Sequence, residues 1–205
     1  MKEIGKKLLM ISLIVCFCIS SCKKESSTAR EKKQNEVEER YYNFQEKGWK
    51  SLSNSQKIDD IHYTATEVPL DYYILNSQES KDVVVADSIS KANKTERIIE
   101  FEFLHDEEKN LLESNLLSMD YESAVEYMSF NIYKDFFLVS AQKDTIRCQG
   151  VLFQSAYKVS PSSKLLLFFS GVAPNRPVQL VYDDKLFGKG LVKFSFKENI
   201  TKIVL

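Results

Sequence analysis

The chain has 205 residues, with 28 basic side chains, 29 acidic side chains and a formal net charge of −1. A nucleic-acid-binding domain needs a basic face to neutralise phosphates, so this charge balance argues against that class of protein. Hydrophobic residues make up 43% of the sequence, which is enough for a core in one large domain or two small ones.

The N-terminus combines a basic stretch with an apolar run. Lys2, Lys6 and Lys7 precede the uncharged segment from Leu8 to Ile19. As a helix this segment is about 18 Å long, well short of a hydrocarbon core of roughly 30 Å, so we do not expect it to span a membrane. The pattern is typical of a signal peptide, which we place over residues 1–21.

The apolar run ends in Ile19, Ser20, Ser21 and Cys22. An aliphatic residue, two small residues and a cysteine resemble the lipobox of bacterial lipoprotein precursors. The resemblance implies that lipid is attached to the Cys22 thiol, that the chain is cleaved before this residue, and that acyl chains such as palmitate modify the new N-terminus. The alternative is an ordinary secretory signal that leaves Cys22 as a free thiol.

The segment after the cysteine, residues 22–40, is predicted to be a lipidated N-terminus and flexible or transiently helical tether. Val37 is its one aliphatic residue larger than alanine beyond Cys22, so it cannot bury enough apolar surface to offset the entropy of ordering. Lys23 makes the chain resemble outer-membrane more than inner-membrane lipoproteins. The charged residues 23–25 resemble a tract that directs some lipoproteins to the cell surface, so the bacterial envelope is the expected location, with the periplasmic and surface faces both open.

A β-rich globular body is predicted over 41–205, where aromatic residues become frequent. The clearest strand is Arg97 to His105, because Ile99, Phe101 and Phe103 alternate with acidic residues. Further strands are predicted over 58–66, 72–75, 83–86, 125–133, 136–140, 145–148, 151–159, 165–169, 178–182, 191–196 and 200–205.

One short helix is predicted over 106–119. Asp106 can cap it, and Leu112, Leu116 and Met119 fall on one side. Short strands separated by turn signals at intervals of about 8–12 residues suggest an antiparallel β-sandwich-like body, mainly β, with this helix as a linker.

An internal likeness raises the alternative of a duplicated β-module. Residues 63–78 can be laid on residues 127–142 at a constant offset, with Tyr72 to Leu75 matching Phe136 to Val139. The two modules would be 41–105 and 120–205, on either side of the predicted helix. A single continuous domain stays open beside it.

Cysteine and histidine are too scarce for most catalytic or zinc-binding patterns. After removal of the signal peptide only Cys22 and Cys148 remain, and we expect Cys148 to be a small buried hydrophobe in a strand. A nucleophilic role would require His62 or His105 nearby in space. The glycines have no phosphate-loop spacing.

The acidic clusters and serine–lysine pairs have ordinary structural explanations. Residues 105–108, 59–60 and 183–184 lack the spacing of a calcium loop, and helix capping or turns explain them. Two pairs have the spacing of a serine–lysine nucleophile without its partner motifs: Ser88 with Lys91, and Ser155 with Lys158. We therefore predict no catalytic residue, no metal site and no cofactor, and Cys22 is the one predicted site residue, for lipidation.

The early aromatic residues have two interpretations, either as a sugar- or peptide-binding surface or as core residues. They are Tyr41, Tyr42, Trp49, Tyr72 and Tyr73. We expect a non-catalytic binding or structural module that presents a β surface to a protein or glycan partner, with its membrane contact made through the lipid on Cys22. Two alternatives stay open: an immunity or inhibitor lipoprotein against an envelope-acting toxin, and a cryptic hydrolase of envelope polymers.

Overall fold

The structure is a computed structural model of the chain. It describes residues 28–29, 31–32, 35–36, 38–39, 46, 49–51, 53–77, 82–107, 111–113, 115–154, 162–174, 176–197 and 202–203. The predicted signal peptide over 1–21 and the predicted lipidation site Cys22 lie outside these ranges. In the predicted tether, the described residues between 28 and 39 have helical conformation.

Antiparallel strands form the body of the molecule. Their bounds are β1 Trp49–Lys50, β2 Ser53–Ile58, β3 Ile61–Val68, β4 Arg97–His105, β5 Phe136–Ser140, β6 Thr145–Arg147, β7 Gly150–Gln154, β8 Ser163–Phe169, β9 Val178–Asp184, β10 Gly190–Phe196 and β11 Lys202–Ile203. One sheet has the order β2-β3-β4-β8-β7, a second has the order β10-β9-β5-β6, and β1 pairs with β11. The mainly β, sandwich-like fold predicted from the sequence is therefore confirmed.

The core lies between the inner faces of the two larger sheets and is rich in aromatic rings. Phe101 from β4 packs edge-to-face on Phe136 and Phe194 of the opposite sheet, with ring centroids 4.9 and 5.4 Å apart. Phe136 also stacks on Tyr182, with centroids 4.3 Å apart. Each such pair adds about 0.5–1.5 kcal/mol beyond the burial of its area, so these rings bind the two sheets together.

Helices occupy two of the connections between strands. The first contains α1 Leu70–Ser77 and α2 Val83–Ala92, between β3 and β4. The second contains a 3₁₀ turn at Leu111–Glu113, α3 Tyr121–Glu126, a π-helical turn at Tyr127–Asn131 and a 3₁₀ turn at Ile132–Asp135, and it leads into β5. Helix α1 packs on the outer face of the five-stranded sheet, so it covers part of a surface that would otherwise face solvent.

Two predicted strands, 72–75 and 83–86, are wrong, because both segments are helical. Pro69 occupies the position before α1 and its carbonyl accepts the first helical hydrogen bond from Tyr73 N, at 3.1 Å. Asp82 caps α2, since its Oδ1 accepts hydrogen bonds from Val84 N and Val85 N at 2.8 and 3.2 Å. The β-branched run that suggested a strand is therefore overridden by capping and by burial of one helical face.

The predicted helix over 106–119 and the predicted strand over 125–133 are also wrong. The described part of 106–119 is helical only in the single 3₁₀ turn. The capping aspartate is instead Asp120, whose Oδ1 accepts a hydrogen bond from Ser123 N at 2.9 Å. Ala124, Met128 and Ile132 are buried at a spacing of four residues, which is a helical period that the alternating interpretation missed.

The two segments that suggested an internal duplication do not have the same secondary structure. Residues 72–75 are helical, whereas their sequence counterparts 136–139 lie in strand β5. In addition, β4 from one proposed module pairs with β8 from the other along their whole shared length. The segments 41–105 and 120–205 therefore contribute strands to one common sheet.

Candidate functional site

A groove of about 290 Å³ lies between helix α1 and the outer face of the five-stranded sheet. Its floor is apolar and consists of Val68, Leu152 and Leu166. Its walls and rim are Tyr72, Tyr73, Asn76, Ser77, Glu100 and Gln154. We call this surface the tyrosine groove. A volume near 300 Å³ is at the lower end of the range for small-ligand sites.

The position of the tyrosine groove follows from the short connection between β3 and α1. The strand ends at Val68 and the helix begins at Leu70, so α1 folds back directly over the sheet. Tyr73 packs edge-to-face on Phe168 of β8, with ring centroids 5.4 Å apart. Tyr72 packs against two apolar clusters, one formed by α1 and α2 and the other on the outer face of the sheet. The two rings are therefore held in place by packing, and they remain half-buried.

The polar groups of the tyrosine groove differ in their availability. Glu100 Oε1 accepts a hydrogen bond from Lys164 Nζ at 3.2 Å, so its charge is balanced within the protein. Ser77 Oγ donates to Ile74 O at 2.9 Å. The side chains of Asn76 and Gln154 are exposed. Both amides offer a donor and an acceptor to a ligand.

The floor of the tyrosine groove includes an exposed apolar side chain. Leu152 on the edge strand β7 is 46% exposed, whereas Val68 and Leu166 beside it are buried. The groove thus combines aromatic faces, an accessible aliphatic side chain and uncharged hydrogen-bonding groups. This combination suits recognition of a ligand that is apolar on one side and hydroxyl- or amide-rich on the other.

The structure brings together two of the five aromatic residues that the sequence singled out. Tyr72 and Tyr73 line the tyrosine groove, and both also pack against the body. Their packing agrees with the interpretation as core residues, and the binding surface stays a prediction. Trp49 lies in strand β1, whereas Tyr41 and Tyr42 lie outside the described residues. The sequence did not indicate that Leu152 and Gln154 line the same groove. They come near α1 only because β7 pairs with β8, and β8 with β4.

The predicted role of Cys148 as a small buried residue is confirmed. The side chain is 5% exposed, and its thiol donates to Gly150 O at 3.1 Å. Burial raises the pKa of this thiol to about 11. Cys148 lies where the chain passes from one sheet to the other: its own N–H donates to Phe136 O in β5, and the next residue, Gln149, donates to Phe168 O in β8.

The histidines and acidic residues considered as metal ligands have other partners. Asp106 contacts Lys57 and His62 at the surface, and the hydrogen bond from Lys57, followed by that from His62, lowers the pKa of Asp106. His105 Nδ1 accepts a hydrogen bond from Glu107 N at 3.0 Å. Within the described ranges, no three such side chains come close enough to hold a metal ion.

The remaining candidates from the sequence also have structural roles where they are described. Asp59, in the turn between β2 and β3, pairs with Lys189 at 2.5 Å. Ser88 Oγ donates to Val84 O within helix α2, at 2.9 Å. The second serine–lysine pair, Ser155 and Lys158, lies outside the described residues.

A buried carboxylate that the sequence placed in a turn proves to be a structural centre. Asp184 is 3% exposed, and its Oδ2 accepts a hydrogen bond from the Tyr63 hydroxyl at 2.7 Å. Its Oδ1 accepts from Phe187 N at 3.0 Å. The bond between Tyr63 and Asp184 links β3 of one sheet to β9 of the other. Burial, followed by this hydrogen bond to Asp184, raises the pKa of Tyr63.

Comparisons with known proteins add little to this description. No family model and no curated protein matches the chain. Among solved structures, the chain is similar to the crystal structure of a DUF4426 family protein from Pseudomonas aeruginosa PAO1, at 9% identity and a TM-score of 0.38. The alignment covers 71% of this chain and 92% of that chain. In the described part of the chain, no helix has the length and hydrophobicity needed to cross a membrane.

Proposed function

We propose that this protein is a lipid-anchored lipoprotein of the bacterial envelope, and that its body is a non-catalytic binding module. The tyrosine groove is the binding site, and an envelope glycan is the ligand. The observation that carries the proposal is the arrangement of Tyr72 and Tyr73 beside an exposed leucine and two exposed amides on the outer face of a sheet.

The anchor rests on the sequence between Lys2 and Cys22. The apolar run is too short to span a bilayer, and it ends in the lipobox-like residues 19–22. Two or three acyl chains provide stable attachment, whereas a single chain does not. A helical or flexible segment over 22–40 would then separate the body from the membrane surface.

The preference for a glycan over a charged ligand rests on the groove. Glu100 is already paired with Lys164, so neither charge is free to bind an ion without loss of that pair. The exposed amides of Asn76 and Gln154 match hydroxyl and acetamido groups, which both donate and accept hydrogen bonds. The tyrosine rings offer flat, partly apolar faces against which a sugar ring can pack.

Membrane attachment is tested by substitution of the cysteine. Wild-type protein and Cys22→Ala are expressed in a Gram-negative host, and membranes are washed with alkaline carbonate. We expect the wild type to stay with the membranes and Cys22→Ala to be released. Cys148→Ala is the matched control and should behave as wild type. Retention of Cys22→Ala in the washed membranes would refute the lipid anchor.

Ligand binding is tested by co-sedimentation of the full-length protein, purified in detergent, with insoluble cell-wall glycan. Asn76→Ala and Gln154→Ala each remove an exposed amide at the rim, which folding does not require. We expect each to weaken co-sedimentation by roughly fivefold or more, since each loses hydrogen bonds to the ligand. Gln149→Ala, an exposed amide between β6 and β7 that does not line the groove, is the control. Equal binding by all four proteins would refute the groove as the site.

A further inference from the structure

A second cleft, of about 440 Å³, lies at one end of the sandwich between the β5–β6 turn and the segment that leads into β9. We call it the end cleft. The lining residues that matter for its chemistry are Ser140, Asp144, Ile146, Val172, Arg176 and Val178. It shares no residue with the tyrosine groove.

One wall of the end cleft is a tightly bonded turn. Ser140 N donates to Asp144 O, and Lys143 N donates to Ser140 O, both at 2.9 Å. The Ser140 hydroxyl also accepts hydrogen bonds from Gln142 N at 3.2 Å and Asp144 N at 3.1 Å. The backbone that carries the Asp144 carboxylate is therefore fixed before any ligand binds.

The opposite wall is joined to the start of β4 by three contacts. Val172 N donates to Thr95 O at 3.0 Å, and Ser170 Oγ contacts Glu96 Oε2 at 2.6 Å. Arg97, which is 1% exposed, donates from Nη1 to the carbonyl oxygen of Arg176 at 2.9 Å. A buried guanidinium thus holds the backbone at the residue whose own guanidinium lines the cleft.

The two charged side chains of the end cleft are available to a ligand. Arg176 and Asp144 are both exposed, and neither forms an ion pair with a described residue. The Asp144 carboxylate makes one long contact with Ser140 Oγ, at 3.4 Å. Between these charges the floor is apolar, with Val172 and Val178 each 5% exposed and Ile146 half-buried.

We propose that the end cleft binds a small zwitterion of the size of an amino acid or a dipeptide. Arg176 binds the carboxylate of the ligand, because the guanidinium fork matches a carboxylate in geometry. Asp144 binds the ammonium group. An aliphatic side chain of the ligand packs on Ile146, Val172 and Val178.

The pair of opposite charges selects against simpler ligands. A lone anion gains from Arg176 but is repelled by Asp144, and a lone cation meets the reverse situation. A zwitterion pairs its carboxylate with Arg176 and its ammonium group with Asp144, so that all four charges have a partner of opposite sign. The apolar floor favours a ligand with an aliphatic side chain over glycine, since roughly 25 cal/mol is gained for each Å² of apolar surface removed from water.

The test is isothermal titration calorimetry on the full-length protein in detergent, with three probes that share the same branched side chain. L-leucine carries both charges, 4-methylpentanoate lacks the ammonium group, and 3-methylbutylamine lacks the carboxylate. Leucyl-alanine serves as the dipeptide. We expect a zwitterion to bind at least about tenfold more tightly than either single-charge probe.

Two charge-neutralising variants complete the test. Arg176→Gln and Asp144→Asn should each weaken zwitterion binding about tenfold or more, whereas Arg147→Gln and Asp60→Asn, exposed residues outside the cleft, should leave it unchanged. Asn76→Ala in the tyrosine groove should also leave it unchanged. Equal affinity for leucine and 4-methylpentanoate would overturn the proposal, as would no zwitterion binding up to about 10 mM or full binding by both variants.

Discussion

Arg97 Nη2 lies 3.0 Å from Glu67 Oε2, and both side chains are almost completely buried. The pair lies on neighbouring strands, β4 and β3, on the face directed into the sandwich. Burial raises the pKa of Glu67 and lowers that of Arg97, because desolvation penalises each charge more than the partner compensates. Such a pair stabilises the fold little by itself, yet it is costly to break.

The first prediction concerns the two partners as a thermodynamic cycle. Arg97→Met leaves the Glu67 carboxylate buried without its partner, so the free energy of unfolding should fall by about 3–5 kcal/mol. The double variant Glu67→Leu/Arg97→Met removes both charges and should recover most of that loss. Urea unfolding of wild type, both single variants and the double variant measures the coupling. A double variant as unstable as the sum of its single variants would contradict this account.

A second prediction separates the role of Arg97 in stability from its role in holding the backbone at Arg176. In the double variant the hydrogen bond to the Arg176 carbonyl is lost while the charge imbalance is removed. We expect faster amide hydrogen exchange at Val172 and Arg176, whose N–H groups donate to Thr95 O and Ala173 O, since these bonds belong to the segment that Arg97 holds. Amides in the middle of β9 serve as the internal reference and should exchange as in wild type.

The loss of order in this segment should also weaken ligand binding in the end cleft. Leucine affinity in the double variant should fall by a factor of about three to ten, through a less ordered Arg176. Unchanged exchange and unchanged affinity together would show that Arg97 has no positioning role.

A third prediction concerns alkaline stability and the bond between Tyr63 and Asp184. Because the folded-state pKa of Tyr63 is raised, its contribution is fully present below pH 10, the ordinary pKa of an unfolded tyrosine, and is lost as pH rises above that value. Above about pH 10 the unfolded chain loses a proton that the folded chain retains. The free energy of unfolding should therefore fall by about 1.4 kcal/mol per pH unit for this residue.

Tyr63→Phe tests the third prediction. At pH 8 the variant should be less stable by about 1–3 kcal/mol, because Asp184 loses a hydrogen bond. Above pH 10 its stability should decline less steeply than that of wild type, by the slope of one proton. Phe103→Leu is the control, since it destabilises the same core without removal of a titratable group, and it should keep the wild-type slope. An identical slope in Tyr63→Phe would contradict the shifted ionisation.

The strands were predictable where one face of a sheet is buried and the other is exposed to solvent. Strand β4 from Arg97 to His105 has the predicted bounds, and its buried residues alternate with half-exposed Glu100 and Glu102. The errors arose at short apolar runs, where periods of two and four residues cannot be told apart. At Val83–Ala86 the cap from Asp82 decides the outcome, and at Ala124, Met128 and Ile132 the burial of one helical face decides it.

The candidate sites were less predictable than the fold. Tyr72 and Tyr73 stood out by composition, but their neighbours Leu152 and Gln154 come from a strand that follows them by roughly eighty residues, and only the pairing of β4, β8 and β7 places them near α1. Arg176 and Asp144 had no signal at all in the sequence, since single exposed charges occur throughout the chain. Their proximity depends on turns at one end of the sandwich, and no local pattern records that arrangement.

The last prediction uses the cysteines to test the anchor without any substitution. The chain has four cysteines, and each state of the N-terminus exposes a different number after unfolding. If the signal peptide is removed and Cys22 carries lipid, Cys148 is the single free thiol. If the peptide is removed and Cys22 is unmodified, two thiols are free, and an uncleaved chain has all four.

In guanidinium chloride we expect one thiol per chain of the purified protein to react with Ellman's reagent. In native buffer at pH 8 almost no thiol should react, because Cys148 is buried and its pKa is raised to about 11. Little thiolate then forms, and the reagent has little access to it. An unmodified Cys22 would react at once in native buffer, since the predicted tether has too few apolar residues to bury it. Rapid reaction of one thiol before unfolding and of a second one after it would therefore exclude lipidation of Cys22. It would not contradict the buried position of Cys148.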